Sequence, residues 1–126
     1  MNDQELPKKK GPVSLRVAVL GGGSFGTAMA NLAARNGCAT QMWIRDADAV
    51  AQMQQTRRNV RYLPDFELHE SLQFSADLEK VVRDKDIILV AIPSHSFRKV
   101  LRQIAPMITG QAVISLTKGI EVPLPD

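Results

Sequence analysis

Leu15-Arg16-Val17-Ala18-Val19-Leu20 runs directly into Gly21-Gly22-Gly23-Ser24-Phe25-Gly26, and the reading of this junction decides the fold. The first half is apolar and β-branched without alternation, which predicts a strand buried on both faces, as in a parallel sheet. Three glycines end it. From Ser24 to Asn36 the period changes: Phe25, Ala28, Met29, Leu32 and Ala33 fall at i, i+3, i+4, i+7 and i+8, the spacing expected of the buried stripe of a helix. Gly37 is the expected stop just past its C-terminus.

The same alternation continues outward. Thr40 to Ile44 reads as a second strand and Asp46 to Gln55 as a helix with Ala47, Val50, Ala51 and Gln54 on its faces. Thr56 to Leu72 is polar, contains Pro64, and reads as a long excursion. Leu72-Gln73-Phe74 is a candidate short strand. Ser75 is the expected cap of a helix reaching about Arg83, with Leu78, Val81 and Val82 inward. Asp86 to Ile92 gives the strongest strand signal in the chain, broken by Pro93-Ser94. Phe97, Val100, Leu101 and Ile104 form another helical stripe, stopped by Pro106, and Ala112 to Leu116 is the last strand. Strand and helix in short alternation imply right-handed crossovers and a parallel sheet. The expected fold is α/β: a Rossmann-type, doubly wound, mainly parallel sheet in the order 3-2-1-4-5 with helices on both faces. Ligands of such sheets bind at the carboxyl ends of the strands where the order reverses. That rule selects the loops after Leu20, Ile44, Ile92 and Leu116.

Gly21, Gly23 and Gly26 form a G-x-G-x-x-G pattern. The pattern is weak alone and gains force from its place between a first strand and a helix. Gly21 permits the tight turn, Gly23 lets a pyrophosphate approach the backbone, and Gly26 lets helix and strand pack closely. The helix start offers unpaired N–H groups and a partial positive charge for the phosphates. Gly22, Ser24 and Gly26 also match the G-x-S-x-G of a hydrolase nucleophile elbow, with Asp86 and His95 in the right order to follow. The layout excludes that reading, because an elbow on the first strand has no earlier strand to supply the second oxyanion donor. At the end of the second strand, where NAD binders carry an acidic residue, Arg45 precedes Asp46. Arg45 can pair with a 2′-phosphate or stack on adenine, which favours NADP while leaving NAD open. Asp46 can serve the ribose or cap the next helix.

Length and composition bound the remaining classes. The chain has 126 residues, 16 Lys+Arg against 13 Asp+Glu for a formal charge of +3, and 44% hydrophobic residues. That suits one globular domain and excludes a coiled coil or a collagen-like chain. The segment 1–13 carries Lys8, Lys9 and Lys10 and reads as a flexible tail, leaving 14–126 as the folded domain. The other arginines lie among carboxylates with few aromatics, so no stacking platform for nucleic acid is expected. No apolar run is long enough to cross a bilayer. Cys38 is a single cysteine, His69 and His95 are far apart, and no metal site is expected. His95 is read as a residue at a helix start near the ligand, His69 as a surface-loop residue, and Met42, Trp43 and Met53 as packing residues.

Several strings occur in order: G-G-G-S-F-G-T-A-M-A (21–30), W-x-R-D (43–46), R-Y-L-P (61–64), I-P-S-H-S-F (92–97), V-L-R-Q-I (100–104) and T-K-G-I-E (117–121). Together they resemble the N-terminal domain of bacterial NAD(P)-dependent glycerol-3-phosphate dehydrogenase, over about residues 14 to 122. The resemblance implies NADPH-linked interconversion of dihydroxyacetone phosphate and sn-glycerol 3-phosphate, feeding phospholipid synthesis; the cytoplasm is the compartment expected from the N-terminal segment, which lacks the apolar core of a secretory signal. It implies cofactor contacts at Ser24, Phe25 and Arg45, a loop along the cofactor at Pro93, Ser94 and Phe97, and an active-site lysine at Lys118 that touches both nicotinamide and substrate. An ammonium at that strand end can stabilise charge on a substrate oxygen as hydride arrives. The family's helical substrate domain has no counterpart before Asp126, so the chain is expected to be the cofactor-binding piece of a longer enzyme, inactive alone. A homodimer of the full-length enzyme is allowed. Two alternatives stay open here: a stand-alone, non-catalytic dinucleotide-binding module, and the cofactor domain of a 3-hydroxy-acid dehydrogenase.

Overall fold

The computed structural model describes residues 14–116. The expected tail at 1–13 and Lys118 lie outside the described residues. Five strands, β1 (Arg16–Leu20), β2 (Ala39–Trp43), β3 (Gln73–Ser75), β4 (Ile87–Val90) and β5 (Ala112–Ser115), form one sheet in the order β3-β2-β1-β4-β5. Every pairing is parallel. The helices are α1 (Ser24–Arg35), α2 (Ala47–Thr56), α3 (Leu78–Val82) and α4 (Ser94–Ile104), the last continued by a short 3₁₀ turn at Ala105–Met107. The expected strand order and the helices on both faces are therefore observed.

β1 is the centre. Val17, Ala18, Val19 and Leu20 are all buried, and alternation sends them to opposite faces. Val17 and Val19 join Met42, Ile44 and Phe74 under α1 and α2, which contribute Ala30, Ala34, Val50 and Met53. Ala18 and Leu20 join Trp43, Ile88 and Val90 under α3 and α4, which contribute Val81, Val82, Val100 and Ile104. β5 lies at the sheet edge, where Val113 and Ile114 are both exposed.

Three expectations are corrected. The buried face of α1 is Gly26, Thr27, Ala30 and Ala34, while Phe25 and Leu32 are about half exposed. Small residues win the inner face because they let the helix lie close on β1, which larger side chains would prevent. Helix α2 buries Val50 and Met53, with Ala47 and Ala51 exposed. Finally, α3 is capped by Asp77, whose carboxylate accepts from Lys80 N–H, and Ser75 ends β3 instead. The α1 stop behaves as expected. Gly37, at φ +90°, donates to Ala34 O while Cys38 N–H reaches back to Ala33 O, the paired bonds of a Schellman ending.

Candidate functional site

The register sets Leu20 beside Trp43 on one side and Val90 on the other, so the loops leaving β1, β2 and β4 begin side by side. Gly21 N–H donates to Trp43 O at 3.0 Å and Ala91 N–H to Leu20 O at 2.8 Å, fixing where each loop departs. Above them opens a cleft of about 1210 Å³. It lies where the strand order reverses, between β1 and β4, the place the topology assigns to ligands.

The floor of the cleft is the glycine loop. Gly21 takes φ +124°, and a side chain there would run into the Ala91 carbonyl. A Cβ on Gly23, by contrast, would meet nothing within 4 Å, so that face of the loop is open to the cleft. Gly23 also caps α1, with φ −75° and no side-chain hydrogen bond, and the first turn of α1 holds no acidic residue. Asp46 and Asp77 cap α2 and α3 with their carboxylates, whereas α1, like α4, starts without a side-chain cap. Between Gly21 and Thr27, the N–H groups of Gly22, Gly23, Ser24, Phe25 and Gly26 find no acceptor among the described residues. An uncapped helix start with unpaired amides beside the cleft and no acidic residue in its first turn fits the diphosphate of a dinucleotide.

The walls come from four segments. The end of β2 contributes Trp43, Ile44, Arg45 and Asp46, and α2 adds Asp48, Ala49, Gln52 and Met53. Asp46 accepts from Asp48 N–H at 2.9 Å, so it caps α2, while Arg45 is exposed in the cleft with no ion pair among the described residues. The end of β4 and the start of α4 contribute Ala91, Ile92, Pro93, Ser94 and Ser96, and Leu116 follows β5. The fourth segment is the excursion after α2, which folds back to place Asn59, Arg61 and Tyr62 in the cleft.

The structure thus gathers Gly21, Gly23, Ser24, Phe25, Gly26, Arg45, Pro93 and Ser94 around one cavity. Phe97 is half-buried and packs against the core under α3 and α4. His95 stands exposed in the first turn of α4 and is not part of the lining. Trp43 is 8% exposed, lines the cleft, and donates through Nε1 to Ala76 O. Residue reading missed Asn59, Arg61 and Tyr62 as wall residues, although R-Y-L-P was one of the strings that marked the resemblance. Among the described residues no group of three or more His, Cys, Asp or Glu is arranged to hold a metal, and no helix is long and apolar enough to cross a membrane.

Sheet order, crossovers and the open amide loop define a Rossmann-type domain. The chain belongs to the family described as NAD-dependent glycerol-3-phosphate dehydrogenase N-terminus, whose family model matches residues 16–124. It is 69% identical over 108 residues to glycerol-3-phosphate dehydrogenase [NAD(P)+] of Acinetobacter baumannii strain SDF, a match covering 86% of this chain and 30% of that protein. Among solved structures, glycerol-3-phosphate dehydrogenase from Coxiella burnetii is 34% identical with a TM-score of 0.76, covering 86% of this chain and 35% of that one. The enzyme from Saccharomyces cerevisiae is 28% identical with a TM-score of 0.79, covering 87% of this chain and 35% of that one. The chain therefore spans about 30% of the length of the curated relative it matches.

Proposed function

We propose that residues 14–126 are the cofactor-binding part of a glycerol-3-phosphate dehydrogenase that reduces dihydroxyacetone phosphate to sn-glycerol 3-phosphate, reversibly, with NADPH favoured over NADH. One observation carries this reading: the row of amides from Gly22 to Gly26, without an acceptor among the described residues, at an uncapped helix start. Those amides and the α1 dipole take the diphosphate. Arg45 faces the ribose end, where its guanidinium matches a 2′-phosphate. Pro93 and Ser94 flank the cofactor from the β4 side, and the resemblance adds Phe97 to that loop.

When bound, NADPH supplies the hydride that reaches the carbonyl carbon of the substrate. Lys118, from the T-K-G string after β5, holds the substrate oxygen through its ammonium and stabilises the charge that develops there. The relatives favour this reading over a non-catalytic module or a 3-hydroxy-acid dehydrogenase. Supply of glycerol 3-phosphate to phospholipid synthesis, a cytoplasmic setting and a homodimer of the longer enzyme belong to the same proposal. Fluorescence titration of the chain with NADPH and NADH tests the cofactor part. Saturable binding with NADPH tighter is expected, and absence of binding to either by folded protein rejects it. For the catalytic part, Lys118→Ala in the full-length enzyme is expected to lower turnover far more than dinucleotide affinity. Near-normal turnover would remove Lys118 from the site.

A further inference from the structure

Asn59 sits in the polar excursion after α2, yet it is 5% exposed. Its side-chain amide has two N–H donors and uses both on the glycine loop region: Nδ2 donates to Gly22 O at 2.8 Å and to Thr27 Oγ1 at 2.8 Å. Thr27 is fully buried; its hydroxyl donates to Gly23 O at 2.7 Å, and its backbone N–H donates to the same oxygen at 3.0 Å. The Asn59 Oδ1 accepts from Tyr62 N–H at 3.3 Å. Each side-chain donor and acceptor of Asn59 and Thr27 has a partner, so the network is complete rather than an accident of burial.

Its consequence follows from peptide geometry. In a planar trans peptide the C=O of one residue and the N–H of the next point in opposite directions. Holding Gly22 O on the protein side therefore aims Gly23 N–H the other way, and holding Gly23 O does the same for Ser24 N–H. Gly23 and Ser24 both line the cleft. Glycine peptide planes reorient at little steric cost, and a carbonyl turned into the cleft would meet a phosphate with the wrong sign. We propose that Asn59, acting with Thr27, is a positioning residue that keeps the two loop carbonyls turned away from the ligand and so presents the amides to its diphosphate. The inference rests on the dinucleotide reading of the cleft. It adds a long-range element to it: the excursion, which looks like a mere connection, sets the polarity of the phosphate seat.

The test compares NADPH affinity with melting temperature for the full chain and four variants: Thr27→Ser, Thr27→Val, Asn59→Ala and the Thr27→Val/Asn59→Ala double. Thr27→Ser keeps the hydroxyl and is expected to bind within about twofold of wild type. Thr27→Val and Asn59→Ala each break the relay and are expected to weaken NADPH about tenfold, the size of one lost hydrogen bond. Because both act on one network, the double variant should lose little more than either single one. Thr27→Val that melts earlier but binds NADPH like wild type would show that the network only stabilises the fold, and would overturn the inference. Equal losses in Thr27→Ser and Thr27→Val would overturn it too, since the hydroxyl would then be irrelevant. If Asn59→Ala does not fold, the Thr27 pair decides alone. Failure of folded wild type to bind NADPH would instead reject the dinucleotide reading itself, and this inference with it.

Discussion

A methyl group placed on Gly26 would lie 2.9 Å from the carbonyl oxygen of Gly21, and 3.2 Å from the Cβ of Ala91. The first turn of α1 is thus pressed against the chain leaving β1, and the three motif glycines do different work. Gly21 carries both the positive φ and a close approach to the Ala91 carbonyl, Gly26 a close approach alone, and Gly23 neither, since its φ is ordinary and its Cβ position is empty. Gly21→Ala and Gly26→Ala are therefore expected to destabilise the fold by about 1–3 kcal/mol, the usual scale of local backbone strain and overpacking. Gly23→Ala is expected to leave the melting temperature near wild type and still lower NADPH affinity, because its methyl occupies the seat. Thermal melts and NADPH titrations of the three variants give the check. A Gly23→Ala protein with undiminished affinity would move the phosphates away from this loop.

Arg45 stands beside Asp46: the Asp46 carboxylate caps α2 through Oδ1, and Arg45 brings a positive charge to the same cleft wall. Arg45→Ala is expected to weaken NADPH by about tenfold or more, the worth of one charge-assisted contact, with little change for NADH. The two titrations, run at the same ionic strength, measure the difference. Equal losses would mean that Arg45 serves a part of the cofactor common to both.

The sheet order was legible because its signals are local. Glycine at the end of β1, proline at the end of β4 and unbroken apolar runs mark strands without reference to anything distant. The inner face of α1 was not legible, since Phe25 and Leu32 match helical spacing as well as Ala30 and Ala34 do. What decides between them is the distance from helix to sheet, which the sequence does not print. The glycine loop and Arg45 were readable as part of the cleft from their position after strands. Asn59 was not, because one polar residue inside a polar stretch has no periodic mark. It acquires a role only when the excursion folds onto the loop. Phe97 was legible as a packing residue, since helical spacing assigned it to the stripe of α4 and it packs against that core.

At the opposite end of the sheet, Asp86 accepts from Arg16 backbone N–H at 2.8 Å and from its Nε and Nη2 at 3.3 and 3.2 Å. The guanidinium and then the backbone amide hold the Asp86 carboxyl below the usual carboxylate range. A group whose pKa falls on folding stabilises the native state above its unfolded pKa and ceases to do so as pH drops through its folded value. The Arg16–Asp86 contribution should therefore be complete above about pH 4–5 and fade on further acidification. Asp86→Asn is expected to lower the melting temperature by a constant amount near neutrality, with the gap closing as pH falls toward about 2. A gap that stays constant down to that pH would assign the effect to shape rather than charge.

Arg57 ties down both ends of the excursion that carries Asn59. Its backbone N–H donates to Met53 O at 2.9 Å and its carbonyl accepts from Leu68 N–H at 2.7 Å. Its Nη2 reaches the carbonyls of His69 and Leu72, and its guanidinium lies 5.1 Å from the centre of the Phe74 ring. Nε is buried without a hydrogen-bond partner among the described residues, and the charge is held by carbonyl dipoles and an aromatic face. The residue also sits at φ +57°, a left-handed conformation costing a side-chain-bearing residue roughly 1–2 kcal/mol. Two effects thus oppose each other when Arg57 is replaced. Arg57→Ala loses the side-chain contacts and keeps the backbone cost, for an expected destabilisation of about 2–3 kcal/mol. Arg57→Gly loses the same contacts and relieves the backbone, so it should be less damaging by up to about 1 kcal/mol after glycine's greater unfolded entropy is counted. Urea unfolding of both variants measures the order. Alanine proving the milder substitution would mean that the backbone at Arg57 is not under that strain and that the guanidinium alone holds the excursion in place.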